Sequence, residues 1–189
     1  MKHHENLKIL AFVGLTGSGK STAVEHFTNK NYPRVYFGGV LLEEVKKAGL
    51  EINEDNERKL REELRASEGK DFIVKRIISQ IHDLTSAGQH RIVADGLYTW
   101  TEYKALKKEF PGELSVIAVV SSKHLRHNRL ESREVRPLTN QEASERDWAE
   151  IENLEKGGPI AIADYYVHNN ENIEHFYKQL DEIAEHVKF

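Results

Sequence analysis

The chain has 189 residues, enough for one domain with a sizeable core, and its 39% hydrophobic and 31% charged residues are typical of a soluble globular protein. The formal net charge of -4 gives no general basic surface, which argues against nucleic acid or an anionic membrane as the main partner. The sequence has no cysteine, which excludes disulfides and thiolate metal sites, and no apolar run long enough for a membrane span or a signal peptide, so we expect a cytoplasmic protein.

The first elements of the chain alternate between strands and helices. Leu7 to Val13 is nearly all apolar, as expected for a strand that is covered on both faces in a parallel sheet. The pattern then predicts a helix over Lys20 to Thr28 and a short strand over Val35 to Phe37. Gly38-Gly39 follows this second strand and precedes a helix that stops at Gly49.

The middle of the chain contains a charged helix, an apolar helix and a strand. Residues 53–67 are highly charged, with one clear apolar pair, so we expect a lightly anchored helix there. Apolar residues recur at helical spacing from Phe72 to near Gly88, which predicts a buried helix. Arg91 to Ala94 is a third strand, and it leads directly into Asp95-Gly96.

The second half of the chain continues the alternation. A helix is predicted over Thr101 to Phe110, a buried strand over Leu114 to Val120, and a helix over Ser121 to Arg133. Thr139 and Glu142 form a capping box that starts a strongly acidic helix.

The last elements complete an α/β pattern. Gly157-Gly158-Pro159 interrupts the acidic helix, Asp164 to Val167 is a short fifth strand, and a C-terminal helix runs from about Glu171 to Val187. Strands that alternate with helices predict a parallel, doubly wound sheet with right-handed crossovers. We therefore expect a three-layer α/β/α arrangement around five parallel strands, in a single domain over residues 1–189.

The loop between the first strand and the first helix carries the strongest motif, GLTGSGKS. It fits the phosphate-binding loop pattern, in which a glycine and four free positions precede Gly-Lys-Ser/Thr. Its glycines let successive N–H groups turn inward around an anion, the helix N-terminus favours phosphate, Lys20 adds positive charge, and Ser21 offers a hydroxyl to Mg²⁺. The sequence therefore predicts a P-loop NTPase fold, with a nucleotide-binding set of Gly14, Thr16, Gly17, Ser18, Gly19, Lys20, Ser21 and Thr22.

Asp95 follows an apolar strand, the position from which a carboxylate in P-loop proteins reaches Mg²⁺. The alternative is an Asp-Gly turn without a chemical role. The P-loop, Gly38-Gly39 and Asp95-Gly96 all follow predicted strands, and ligands on such sheets sit at the carboxyl ends of the strands. We therefore expect these three features to face one cleft.

Two sets of arginines repeat at helical spacing. Arg126, Arg129 and Arg133 share one helical face and are predicted to neutralise charge on a transferring phosphoryl group, the alternative being a solvated basic face. A second set could grip an anionic acceptor or pair with neighbouring glutamates on a surface helix; it comprises Arg58, Arg61 and Arg65. His124 and His127 lack a nearby third metal ligand and are expected to be exposed structural histidines.

These motifs together resemble the nucleotide-kinase branch of P-loop proteins. The sequence is most similar to a family of small adenylate-kinase-related proteins and is also similar to dephospho-CoA kinase. The likeness covers nearly the whole chain, and its most specific segment is IADYYVHNN at residues 162–170. Other parts of the likeness are the P-loop, the Val35 to Gly49 segment, LREEL at residues 60–64, Val93 to Gly96 and the helix that carries Arg126 to Arg133.

The resemblance implies ATP with Mg²⁺ as the phosphoryl donor and Ser21 and Asp95 as the metal ligands. It also implies an acceptor-binding insert near residues 40–70 and a lid near residues 122–147. The segment that contains Asn169 would pass near the adenine. Whether GTP replaces ATP stays open.

Gly38-Gly39 departs from the family pattern, because relatives often carry an aspartate there that orients or deprotonates the acceptor hydroxyl. A phosphate oxygen is already ionised and needs no base, so we expect an ATP-dependent phosphotransferase with a nucleoside-monophosphate-like acceptor. The alternatives are a dephospho-CoA kinase in which Asp95 supplies the base, an NTP-hydrolysing regulatory or RNA-processing ATPase, and a P-loop protein that only binds nucleotide. The expected partner is a small nucleotide-like molecule rather than a membrane or nucleic acid, and the expected state is a monomer or small homo-oligomer.

Overall fold

Five parallel strands form the centre of the molecule, in the order β2-β3-β1-β4-β5. The computed structural model describes residues 6–134 and 136–189. Every strand pairs in parallel with its neighbours, as the alternating pattern predicts. The strands are β1 Lys8–Val13, β2 Arg34–Tyr36, β3 Arg91–Asp95, β4 Leu114–Val120 and β5 Tyr165–His168.

Helices cover both faces of this sheet and complete three layers. The buried residues of α2, α4 and α5 form one apolar cluster with the sheet, and those of α1 and α9 form the other. In the described part of the chain the helices are α1 Lys20–Thr28, α2 Phe37–Lys47, α3 Glu54–Glu68, α4 Phe72–Ser86, α5 Trp100–Glu109, α6 Lys123–Ser132, α7 Asn140–Glu152, α8 Gly157–Ala161 and α9 Ile173–His186.

The central strand β1 shows why the first apolar run is continuous. Side chains alternate across a strand, so Leu10 and Phe12 point toward α1 and α9, while Ile9 and Ala11 point toward the opposite cluster. Both faces are covered, and all four residues are fully buried. The prediction of a strand that is buried on both sides is confirmed.

The second strand begins and ends one residue earlier than predicted, because Phe37 begins α2. Gly38 and Gly39 therefore lie in the first turn of that helix and not in a loop before it. The ring of Tyr36 lies against both glycines: a Cβ built at Gly38 would be 2.5 Å from the Tyr36 hydroxyl, and one at Gly39 would be 3.0 Å from the ring. In this arrangement the tyrosine fills the space that a side chain at either position would take.

The segment after α7 also differs from the prediction. Gly157, Gly158 and Pro159 belong to the short helix α8 and do not form an irregular break. Proline is compatible with the first turn of a helix, where its missing N–H has no intrahelical partner. Asp164 lies before β5 rather than within it, and its carboxylate accepts hydrogen bonds from Val116 N at 2.7 Å and Lys107 Nζ at 2.6 Å.

Within residues 6–134 and 136–189, every helix is too short or too polar to cross a membrane.

We predict that Leu10→Ala lowers the free energy of unfolding by about 2–5 kcal/mol, because it opens a cavity at the centre of the sheet. Urea denaturation followed by circular dichroism measures the loss. Leu50→Ala is the matched control: Leu50 is 41% exposed, so the same truncation should change stability by about 0.5 kcal/mol or less. Equal losses in the two variants would contradict the assignment of this core.

Candidate active site

The loop between β1 and α1 packs tightly against the ends of β4 and β5. Gly14 has a φ of 147° and Gly19 a φ of 103°, both outside the range that other residues adopt readily. A Cβ at Gly14 would collide with the carbonyl oxygen of Val119, and one at Gly19 would collide with the side-chain amide of Asn169. These neighbouring groups come so close that only glycine fits at both positions.

Asn169 anchors the loop from the far side. Its side chain is buried, and its Nδ2 donates a hydrogen bond to the carbonyl oxygen of Ser18 at 2.8 Å. The carbonyl oxygen of Asn169 in turn accepts a hydrogen bond from Arg129 Nη2 at 2.9 Å. The predicted contact between Asn169 and the adenine stays a prediction, but its amide has a defined task in holding the loop.

Lys20 begins α1 and lines the cavity above the loop. Its Nζ donates a hydrogen bond to the carbonyl oxygen of Leu15 at 3.0 Å. The pKa of Lys20 is lowered to about 8, chiefly by burial and also by the nearby charge of Lys156, while the carboxylate of Glu150 acts in the opposite direction. A phosphate that reached this ammonium group would stabilise its charged form.

Asp95 ends β3, beside Phe12 of β1 and Tyr36 of β2 in the strand register. Burial raises the pKa of the Asp95 carboxyl, and the charges of Arg34 and Lys20 partly offset this effect. Arg34 Nη1 lies 3.4 Å from Asp95 Oδ2. The carboxyl ends of β1, β2 and β3 thus bring the P-loop, Asp95 and the start of α2 to one edge of the sheet.

The oxygen atoms at this edge suit Mg²⁺. Ser21 is exposed and lines the cavity, while Asp95, whose side chain is 18% exposed, lies at the end of β3 and is not among the described residues that line it. No group of three acidic or histidine side chains in the described residues could hold a metal ion without other ligands. Mg²⁺ in kinases is held by one or two protein oxygens together with phosphate oxygens, and this donor set fits that pattern.

The cavity at the P-loop has a volume of about 490 Å³ and is strongly cationic. It is lined by the loop and the start of α1, by Tyr98 after β3, and by side chains that follow β4, including Arg129 and Arg133 of the predicted lid. Among the described side chains that line it, Glu150 is the acidic one and five are cationic, namely Lys20, Arg129, Arg133, Arg146 and Lys156. An excess of positive charge around a P-loop favours a polyanionic ligand.

The three predicted lid arginines do not share one environment. Arg126 is buried and makes two hydrogen bonds to Asp147, at 2.7 and 2.8 Å, and a third to the carbonyl oxygen of Thr16 at 3.1 Å. Arg129 and Arg133 line the cavity. The catalytic roles of these arginines stay predictions, and the contacts of Arg126 are those of a residue that positions the loop.

His127 is buried, contrary to the expectation of an exposed histidine. Its Nε2 lies 3.1 Å from Asp147 Oδ2, and its side chain is only 5% exposed. His124 is exposed, as expected. The acidic helix α7 explains why His127 is buried and His124 is exposed, because Asp147 of α7 contacts both Arg126 and His127 of α6.

Sequence reasoning missed the acidic partners on α7 and the lysine that follows them. Glu150 accepts a hydrogen bond from the backbone N–H of Thr16 at 3.1 Å and another from the Thr16 hydroxyl, and Lys156 Nζ lies 2.8 Å from the same carboxylate. The spacing of Asp147 and Glu150 puts both on one face of α7 with the buried Ala143. The three-residue spacing of Asp147 and Glu150 is the sequence signal from which these partners could have been predicted.

The second arginine set stays outside the cavity. Arg58 and Arg65 are exposed on α3, and Arg61 is partly buried. No residue of α3 is among the described residues that line the P-loop cavity. A role for this helix in holding an acceptor therefore stays a prediction.

Sequence comparisons identify relatives along most of the chain. A family model described as an AAA domain matches residues 10–155. A UPF0200 protein of Thermococcus onnurineus is 31% identical over 182 residues, covering 95% of this chain and 97% of that protein. A UPF0200/UPF0201 protein of Archaeoglobus fulgidus is 32% identical over 185 residues, covering 94% of this chain and 55% of that protein.

Solved structures of P-loop kinases share the fold. A shikimate kinase from Bacteroides thetaiotaomicron has a TM-score of 0.59 at 11% identity, covering 96% of this chain and 99% of that one. A gluconokinase from Sinorhizobium meliloti has a TM-score of 0.59 at 15% identity, covering 96% of each chain. The predicted three-layer α/β/α P-loop NTPase fold is confirmed.

We predict that Asp147→Ala lowers the free energy of unfolding by about 3–5 kcal/mol, because it leaves the buried guanidinium of Arg126 without its carboxylate. Thermal and urea denaturation provide the measurement. Asp83→Ala removes an exposed aspartate from α4 and serves as the control, with little change expected. If the two variants were equally stable, the ion pair between Arg126 of α6 and Asp147 of α7 would not contribute to the stability of the fold.

Proposed function

The chain belongs to the UPF0200 family and carries an AAA domain, and on this basis we propose that it is an ATP-dependent phosphotransferase with a small nucleotide-type acceptor. The observation that carries this proposal is the cationic cavity of about 490 Å³ at the P-loop, which joins the loop to the helices of the lid segment. A switch that only binds nucleotide needs no such set of cationic side chains, whereas hydrolysis also uses them, and an acceptor screen separates a kinase from a hydrolase. Phosphoryl transfer uses such side chains, because charge spreads over the oxygens of the transferred group.

The proposed roles follow from where the side chains lie. The loop amides and Lys20 bind the β- and γ-phosphates, while Ser21 and Asp95 hold Mg²⁺. Mg²⁺, when bound, neutralises charge on the β- and γ-phosphate oxygens. Arg129 and Arg133 supply charge from the lining of the cavity, and Arg126 holds the backbone of Thr16 in place.

A nucleoside monophosphate is the acceptor that we favour. The start of α2 offers no carboxylate, because Gly38 and Gly39 lie there beneath the Tyr36 ring. An ionised phosphate oxygen attacks without a base, so this arrangement suits an acceptor that already carries a phosphate. In this proposal residues 40–70 hold the acceptor and residues 122–147 form the lid, within one domain.

A hydroxyl acceptor such as dephospho-CoA is the second candidate. Asp95 favours it, since burial raises the pKa of this carboxyl above its ordinary value and a general base works best with a pKa nearer neutrality. In that case Asp95 would accept the proton of the acceptor hydroxyl.

An acceptor screen tests the proposal. We expect ADP release from ATP and Mg²⁺ that depends on one of the nucleoside monophosphates, with dephospho-CoA as the second arm. Lys20→Ala should reduce it by about 10²–10³-fold, since it removes the main cation at the transferring group. Lys108→Ala, an exposed lysine on α5, is the control and should retain full activity.

Three outcomes of this screen contradict the proposal. ADP release without any acceptor indicates a hydrolase, and nucleotide binding without turnover indicates a binding protein. Full activity in Lys20→Ala would show that the P-loop takes no part in phosphoryl transfer. Circular dichroism of each variant establishes that it is folded.

We also predict that nucleotide binding takes up protons above pH 8. The pKa of Lys20 is about 8, so above that pH the amine is largely neutral and must be protonated when phosphates bind. The affinity for Mg-ATP should fall by up to about tenfold per pH unit between pH 8 and 10. Titration calorimetry at pH 9 in two buffers of different ionisation enthalpy measures the proton uptake.

Lys20→Arg is the control for this pH dependence. A guanidinium stays charged throughout this range, so the affinity of the variant should fall less steeply with pH than that of the unmodified protein. Any remaining slope would come from Lys156, which lines the same cavity and whose pKa is also lowered by burial. Binding by the unmodified protein without proton uptake at pH 9 would contradict the assignment to Lys20.

A further inference from the structure

Glu150 places a carboxylate on the anion-binding loop itself. The backbone N–H and the hydroxyl of Thr16 both donate to it, the former at 3.1 Å. Its side chain is 2% exposed, although it belongs to a helix that is otherwise largely polar and solvated. A negatively charged group of the protein therefore uses a donor of the loop whose geometry favours bound phosphate.

Lys156 completes this arrangement. Its ammonium group lies 2.8 Å from the Glu150 carboxylate and is 5% exposed. It also lies 4.9 Å from the centre of the Tyr98 ring, and both residues line the P-loop cavity. A second buried lysine thus faces the same cavity as Lys20, with its charge offset by Glu150.

The electrostatic state of the pair is that of a carboxylate and an ammonium. Burial on its own raises the pKa of the Glu150 carboxyl, but the charge of Lys156 and the hydrogen bonds from Thr16 outweigh burial and bring the pKa below its ordinary value. A polyphosphate that enters the cavity meets this carboxylate as a like charge. The same polyphosphate is attracted by Lys156.

We propose that Glu150 is a tethered anion that competes with phosphate for the P-loop, and that Lys156 is a second phosphate-binding cation released when the two separate. The inference rests on the proposed function, in which the ligand is a polyphosphate. When the phosphates bind, they replace the carboxylate at Thr16 and at Lys156. Arg146, one turn earlier on α7 and 59% exposed, lies 3.5 Å from the carboxylate and gives it a partner nearer solvent.

The competing explanation is that Glu150 acts only as a structural brace, which stabilises the packing of α7 against the loop. Measurements of phosphate affinity distinguish this explanation from the proposal. The probe is inorganic triphosphate, with affinity measured by titration calorimetry, so that no turnover is needed. We expect Glu150→Gln to bind triphosphate about tenfold more tightly than the unmodified protein, because the competing charge is gone. Glu152→Gln is the matched control: it removes the same charge from the same helix at an exposed position and should change the affinity less than twofold.

A double variant tests whether Lys156 binds phosphate. It also avoids an unpaired buried charge that could cause misfolding. Glu150→Gln alone leaves Lys156 buried without its partner, whereas Glu150→Gln with Lys156→Gln leaves no charge in the pair. We expect the double variant to bind triphosphate about tenfold more weakly than Glu150→Gln, which measures the contribution of Lys156 when the competitor is absent. Circular dichroism and thermal denaturation show that each variant is folded.

The outcomes distinguish this inference from the proposed function. If the unmodified protein binds triphosphate and folded Glu150→Gln binds it no more tightly, Glu150 is a brace and the inference fails by itself. If the double variant binds as tightly as Glu150→Gln, Lys156 contacts no phosphate. If neither the unmodified protein nor Glu150→Gln binds triphosphate or ATP, the proposed function fails as well.

Discussion

The close packing of the P-loop against the ends of β4 and β5 is the constraint on which the site depends. Gly14 and Gly19 permit it because Val119 and Asn169 come too near for any side chain. The loop is fixed in this way before any anion arrives, and its Thr16 N–H already donates a hydrogen bond to Glu150. The sheet supplies the rigidity, since β1 lies at its centre and is buried on both faces.

The second constraint is the distribution of charge around that loop. Two acidic residues of α7 hold two cations in buried ion pairs, Asp147 with Arg126 and Glu150 with Lys156. Buried ion pairs are costly to separate but add little net stability, so their value lies in fixing geometry. Here both pairs also contact Thr16, so the position of α7 and the shape of the loop depend on each other.

The fold could be predicted from the sequence because its signals are local. A continuous apolar run such as Leu7 to Val13 indicates a buried parallel strand, and the GLTGSGKS motif identifies the loop without further information. Element order then limits the topology to a few choices. The first turn of α2 was not predictable in this way, since the reason for Gly38 is the packing of the Tyr36 ring.

The candidate site was predictable only where the motif defines it. The loop residues and the position of Asp95 at a strand end follow from sequence, whereas the partners of Arg126 and His127 are brought together by the packing of α6 on α7. Helical spacing places arginines on one face but does not say which carboxylates face them. For that reason the buried state of His127 and the contact of Glu150 with the loop appear only in three dimensions.

The packing of Tyr36 over Gly38 couples the two positions. A side chain at position 38 would meet the tyrosine ring, which is 38% exposed and would have to turn toward solvent to make room. The cost of any substitution at Gly38 therefore depends on which residue stands at position 36, so the effects of changes at these two positions are not additive.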